Sequence, residues 1–181
     1  VSGMRKTIDW QKKFPRGNIS NPSKGKVSKV AKRETSYEMW LKEEGIPVIE
    51  GYGVEDVTVL PREPWQRTGG SGAYIDLKGM EGFTGMYVCE IPPGGALNPE
   101  SHLYEELIYI LSGFGATEIW SAGDDKRKMH FVWQQGSLFA VPLNTRHRMI
   151  NGSREPVFFL AVTSAPLMID LTCNSALVPT P

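Results

Sequence analysis

Two blocks decide the fold. The first is Gly94-Gly-Ala-Leu-Asn-Pro-Glu100-Ser-His102-Leu-Tyr104-Glu-Glu106, followed after six residues by Gly113. The second is Gly136-Ser-Leu-Phe-Ala-Val-Pro142-Leu-Asn144-Thr-Arg-His147-Arg-Met-Ile-Asn151. Both set polar residues into strand-like sequence. Glu100, His102 and Glu106 are separated by even numbers of residues, which on an extended strand places side chains on one face. Tyr104 shares that parity and is expected to line the same space; Glu105 has the opposite parity. His147 follows the Pro142 turn on a later strand and could enter from a neighbour. Two imidazoles with one or two carboxylates make a donor set for a divalent transition metal such as iron, manganese, nickel or zinc. Each residue also has a plain structural alternative. The histidines could be hydrogen-bonded core residues, and Glu106 could pair with Arg146 or Arg148. A buried carboxylate left unpaired is costly, so Glu106 needs a metal or an arginine beside it.

Outward from these blocks, strands are expected at Met86–Ile91, Tyr104–Leu111, Ala116–Trp120, Met129–Trp133, Leu138–Val141, His147–Ile150 and Val157–Thr163. Turn-forming sequence separates them: Pro92-Pro93-Gly94-Gly95, Ser112-Gly113, Gly123-Asp124, Gln135-Gly136 and Asn151-Gly152-Ser153. A spacing of about ten residues suits an antiparallel sandwich or small barrel. Upstream, Thr35 to Gly45 predicts a short helix capped by Ser36 and stopped by Gly45. Val57 to Leu60 predicts a strand. The glycine-rich run Gly69-Gly70-Ser71-Gly72 predicts a flexible turn, and it lacks the lysine and hydroxyl residue of a phosphate loop. No pattern is visible after Thr163. Met86, Val88, Trp133, Phe139 and Met149 are candidates for apolar pocket lining, and His130, outside both blocks, is expected at the surface.

The two blocks resemble the paired motifs of the cupin superfamily. Gly94, His102, Glu106 and Gly113 fall in register with the first motif, and Gly136, Pro142, His147 and Asn151 with the second. There are two departures. Asn144 replaces a motif glycine, a mild change because Asn tolerates a left-handed backbone. Glu100 replaces the first histidine of His-x-His. The resemblance implies an all-β fold, an antiparallel double-stranded β-helix or jelly-roll barrel, from about Val54 to Asp170. It also implies metal ligation by His102, Glu106 and His147, with Glu100 as a fourth ligand or as the mark of a lost site. Glu100 and Tyr104 become candidate catalytic residues that move a proton. The long lead-in before one cupin unit resembles the first half of a two-cupin protein, and the family's habits imply a homodimer or higher homo-oligomer.

The rest of the chain bounds these readings. The 181 residues carry 20 basic and 20 acidic side chains, but residues 1–34 hold ten Lys/Arg against Asp9 and Glu34. That segment is therefore +8 and the remainder −8. The expected organisation is a basic arm over 1–34, a helix and extended lead-in over 35–53, and a barrel with a C-terminal extension over 54–181. The arm is expected to pack on the acidic body or a neighbouring subunit rather than on nucleic acid. No export signal and no apolar run of membrane-spanning length is visible, and Cys89 and Cys173 form no framework, so a cytoplasmic protein is expected. The function expected is that of a metal-dependent enzyme on a small organic substrate, with oxygenase-type or Lewis-acid isomerase or lyase chemistry. The alternatives are a non-catalytic ligand-binding module and the structural half of a two-domain enzyme with a degenerate site.

Overall fold

The computed structural model describes residues 33–121, 123, 124 and 126–173. The arm expected over 1–34 falls almost wholly outside them. The first described element is helix α1, Ser36–Glu44. Its cap is Thr35 rather than Ser36: the Thr35 hydroxyl accepts from the Glu38 amide at 3.1 Å, and Glu38 accepts from the Thr35 amide at 2.8 Å. This reciprocal pair satisfies two otherwise orphaned donors. Gly45 ends the helix with a left-handed backbone, φ 70°.

Ten strands follow: β1 Val48–Gly51, β2 Glu63–Trp65, β3 Gly70–Leu77, β4 Gly85–Ile91, β5 Glu106–Ser112, β6 Phe114–Ser121, β7 Met129–Gln134, β8 Leu138–Val141, β9 Thr145–Asn151 and β10 Val157–Thr163. The larger sheet runs β1-β3-β4-β10-β5-β8, with β2 also on β3, and the smaller runs β7-β6-β9. Pairing is antiparallel except where β1 joins β3. This is the expected jelly roll. Its core lies between the sheets, where Tyr87, Cys89, Ile91, Ile108, Ile110, Phe159 and Ala161 meet Trp133 and Met149.

Four local expectations fail, each for a physical reason. Val57–Val59 is a single 3-10 turn, started by Asp56, whose carboxylate accepts from the Thr58 amide. The glycine-rich run opens β3, a strand inside the larger sheet. Its glycines serve close approach: a Cβ on Gly70 would lie 2.5 Å from the Glu90 carbonyl, and one on Gly72 2.6 Å from the Trp65 ring. After Thr163 the chain forms helix α2, Ala165–Thr172, with Pro at its first turn, where a missing N–H costs nothing. Finally, Met86 and Val88 face away from the cavity. Val88 packs with Ala73 and Ile75, and Ile49 of the lead-in, with Val54, Val57 and Leu60 just after it, packs against that outer cluster together with Met86. The lead-in therefore gives β3 and β4 a second buried face.

The motif residues that carry no chemistry hold turns. Gly94, Gly113 and Gly136 all have positive φ, and so does Asn144 at φ 57°. The Asn151 amide nitrogen lies within 3.1 Å of the carbonyls of Ile91, Pro92 and Glu155, and its oxygen accepts from the Ser153 amide. That one side chain ties the end of β9 to the end of β4.

Candidate metal centre

The site grows from one backbone pairing. Glu100 and His147 exchange amide–carbonyl hydrogen bonds at 2.9 Å in both directions, so the segment before β5 lies antiparallel to β9. Residues 101–105 form no strand, so a single strand face does not explain the convergence of Glu100, His102 and Glu106. The turn carries His102 inward, and Glu106 is the first residue of β5. Tyr104, expected on a strand, sits in this turn.

His102, Glu106 and His147 are 3%, 4% and 4% exposed. One donor atom from each lies within 4.8 Å of the other two. Glu106 Oε2 is 3.1 Å from His102 Nε2 and 3.7 Å from His147 Nε2. The Tyr87 hydroxyl donates to the other oxygen, Oε1, at 2.6 Å. His102 Nδ1 lies 2.8 Å from the Tyr104 carbonyl. A carbonyl only accepts, so Nδ1 carries a proton and Nε2 is the atom turned to Glu106. The Tyr104 ring stacks on the His102 ring, 4.1 Å between centroids and 2° from parallel. Together the carbonyl and the stack leave His102 one orientation. His147 meets His102 edge-on, and its Nδ1 is buried with no partner among the described residues.

Protonation follows from burial and neighbours. Burial alone would raise the Glu106 pKa, but the hydrogen bond and charge of His102, the charge of His147 and the Tyr87 hydroxyl hold it down at about 2. Burial likewise works against a charge on His102, yet its hydrogen bond to Glu106 and the carboxylate charges raise its pKa above the ordinary value. His147 goes the other way: burial lowers it despite Glu106 and Glu100. With no metal, Glu106 is a carboxylate at neutral pH; its charge favours the protonated form of His102, while burial favours the neutral form of His147. Burial, with the Glu106 charge second, keeps the Tyr87 phenol protonated.

Glu100 lines the same cavity, with Tyr87, Glu106, Ile108, His147 and Met149. Its carboxylate is paired with Arg67, which also reaches Glu44 at 2.7 Å. The remaining candidates fall outside the cluster. Arg148 pairs with Glu118 at 2.7 Å, so it does not neutralise Glu106. Glu105 is exposed and accepts from the Ser164 hydroxyl. His130 is exposed, as expected. Of the apolar candidates only Met149 lines the cavity; Trp133 instead donates to Thr117 in the core. Arg67 and Tyr87 were the residues the sequence concealed. Arg67 lies 33 positions before Glu100 in a loop, and Tyr87 sits on a strand whose parity is not visible without its neighbours.

Sheet order, motif turns and this buried cluster define a cupin barrel. A family model described as Cupin matches residues 74–176, and the chain belongs to that family. Solved structures similar to it include a Lactobacillus farciminis oxalate decarboxylase in complex with formate, at 23% identity and TM-score 0.50, covering 60% of this chain and 32% of that one. An oxalate oxidase in complex with the substrate analogue glycolate has 15% identity and TM-score 0.51, covering 61% and 58%. Peruvianin-I, described as a cysteine peptidase from Thevetia peruviana latex, has 15% identity and TM-score 0.51, covering 61% and 71%. The chain spans about a third of the length of that decarboxylase. None of the curated proteins compared with the chain matches it. At these identities the likeness shows the fold alone. Among the described residues no helix is long and apolar enough to cross a membrane.

Proposed function

We propose that the barrel holds one divalent transition ion on His102, Glu106 and His147 and acts as a metal-dependent enzyme on a small organic substrate with oxygen donors. The observation that carries this reading is the three-donor cluster itself, buried and closed to within 4.8 Å. Ligands about 2.1 Å from one ion at tetrahedral or octahedral angles stand roughly 3.0–3.4 Å apart. The separations of 3.1 and 3.7 Å are near that range. The tautomer of His102 supports the reading too, since metal-binding histidines commonly donate their other N–H to a carbonyl. So does charge. Glu44 and Glu100 pair with one guanidinium, Arg67, and Glu106 lies against His102 and His147, so three carboxylates face one permanent cation. A divalent ion on Glu106 would balance these charges.

Bound there, the ion supplies Lewis-acid polarisation of substrate oxygens or, as iron or manganese, oxygen chemistry. The chain's own residues set the terms. Tyr87 occupies Glu106 Oε1 and leaves Oε2 as the donor. Tyr104 orients His102 through its carbonyl and its ring. Glu100 stands at the cavity on Arg67 as a neighbour of the ion, and Tyr104 is assigned to proton handling. One observation favours a second reading: the cavity is about large enough for a single water or ion. A sealed ion would make this a binding or structural domain. Water-proton relaxation of the Mn(II)-loaded protein separates the two. The enzyme reading requires exchangeable water on the ion and its displacement by small oxyanions. A silent ion supports the second reading.

A further inference from the structure

Two carboxylates line the cavity, and only one joins the histidines. Glu100 is backbone-paired with His147, so its side chain starts beside the cluster, yet the three-donor group contains Glu106 and not Glu100. Arg67 accounts for the difference. Its Nη1 donates to Glu100 Oε2, and its Nε donates to Glu44 Oε2 at 2.7 Å. The guanidinium carbon lies 4.5 Å from the Trp65 ring centroid and 5.5 Å from that of Trp40. The same Glu44 oxygen is approached by the Trp65 Nε1–H and the Tyr74 hydroxyl. Glu44 is the last residue of α1, where a negative charge opposes the helix dipole, so its carboxylate is there for these contacts and not for the helix. Arg67 is thus fixed between a helix carboxylate and two indoles, and a buried charged pair of this kind does not open without leaving an uncompensated charge.

We infer that Arg67 is a positioning residue that holds Glu100 off the ion proposed above, so that the ion keeps three protein ligands and its remaining positions stay open to solvent and an oxygen-donor substrate. This rests on the metal reading of the site. Sequence position alone makes Glu100 a ligand; its partner decides otherwise. Without Arg67, the strongest positive charge within reach of Glu100 is the ion, and the carboxylate turns to it. A fourth protein ligand then tightens binding and occupies one open position.

The test is Mn(II) binding to the metal-free full chain, by titration and by pulsed electron paramagnetic resonance that counts exchangeable waters on the ion. Glu100→Gln keeps a hydrogen bond to Arg67 and is expected to bind within about twofold of the parent. Arg67→Met is combined with Glu44→Gln so that removing the guanidinium strands only one carboxylate. This double variant is expected to bind about tenfold more tightly, the scale of effects seen for neighbours of metal ligands, and to lose one water. Adding Glu100→Gln to it restores the parent's affinity and water count, and Glu44→Gln alone resembles the parent. A tenfold or greater loss in Glu100→Gln overturns the inference, whether or not the double variant folds. So does a folded double variant with unchanged affinity and water count. No binding by the parent removes the metal reading itself, and the inference with it; binding by the parent with loss in Glu100→Gln removes the inference alone.

Discussion

Glu106→Gln perturbs the centre of the cluster without changing its shape, and its cost can be worked out for the metal-free protein. The parent carboxylate is buried, takes a 2.6 Å hydrogen bond from Tyr87 and lies 3.1 Å from His102 Nε2. Its pKa falls from 4.5 to about 2, which corresponds to about 3 kcal/mol favouring the ionised folded state. A lowered carboxylate pKa stabilises above its unfolded value and stops doing so as pH falls through its folded value. The contribution is therefore largest between about pH 4.5 and 6.5, shrinks below about 4.5 and vanishes near 2. Urea unfolding in the presence of a chelator should place Glu106→Gln about 3 kcal/mol below the parent at about pH 6, with the gap closing between about pH 4.5 and 2. Equal stabilities at about pH 6, or a gap that does not close in acid, would refute the assigned charge state.

Four further outcomes follow. Asn151→Ala removes the link from β9 to the carbonyls of Ile91 and Pro92 and should cost roughly 3 kcal/mol in urea unfolding, from several buried hydrogen bonds at about 1 kcal/mol each. As pH falls below the raised His102 pKa, proton release on metal uptake should approach one per ion and the apparent affinity should drop about tenfold per pH unit, because the ion replaces the His102 proton, measured by Zn(II) titration in buffers of different ionisation enthalpy. The metal-free protein should lose the stability due to the His102–Glu106 pair as pH rises through that same pKa, the part being complete below the ordinary histidine value of 6.5. Deleting residues 1–32, which carry nine Lys/Arg against Asp9, should lower the melting temperature or weaken self-association, with an effect that fades as salt rises; an unchanged melting temperature and mass counts against the arm.

The fold was legible because its constraints are local. Gly94, Gly113, Gly136 and Asn144 sit where the turns need positive φ, and Pro142 and Asn151 punctuate the strands around them. What misled was glycine used for a different purpose. Gly70 and Gly72 look like a turn in isolation, and only the Glu90 carbonyl and the Trp65 ring explain why a strand there cannot carry side chains. In the site, the convergence of His102, Glu106 and His147 was legible from their register with the two motifs, although the strand parity offered for Glu100, His102 and Glu106 does not exist, since residues 101–105 form no strand. Arg67 and Tyr87 were invisible because each acts through tertiary contact alone: Arg67 through Glu44 and Glu100, Tyr87 through the far oxygen of Glu106. Which face of β4 turns inward is decided by the lead-in packing on its other side, a contact between segments about 30 residues apart.

The most direct measurement is elemental analysis of the full chain purified without chelator, beside His102→Ala and His147→Ala. The site predicts close to one divalent transition ion per chain in the parent, lost from both variants while their barrels stay folded. No transition metal above background in the parent, both as purified and after incubation with manganese, iron, nickel and zinc salts, would contradict it.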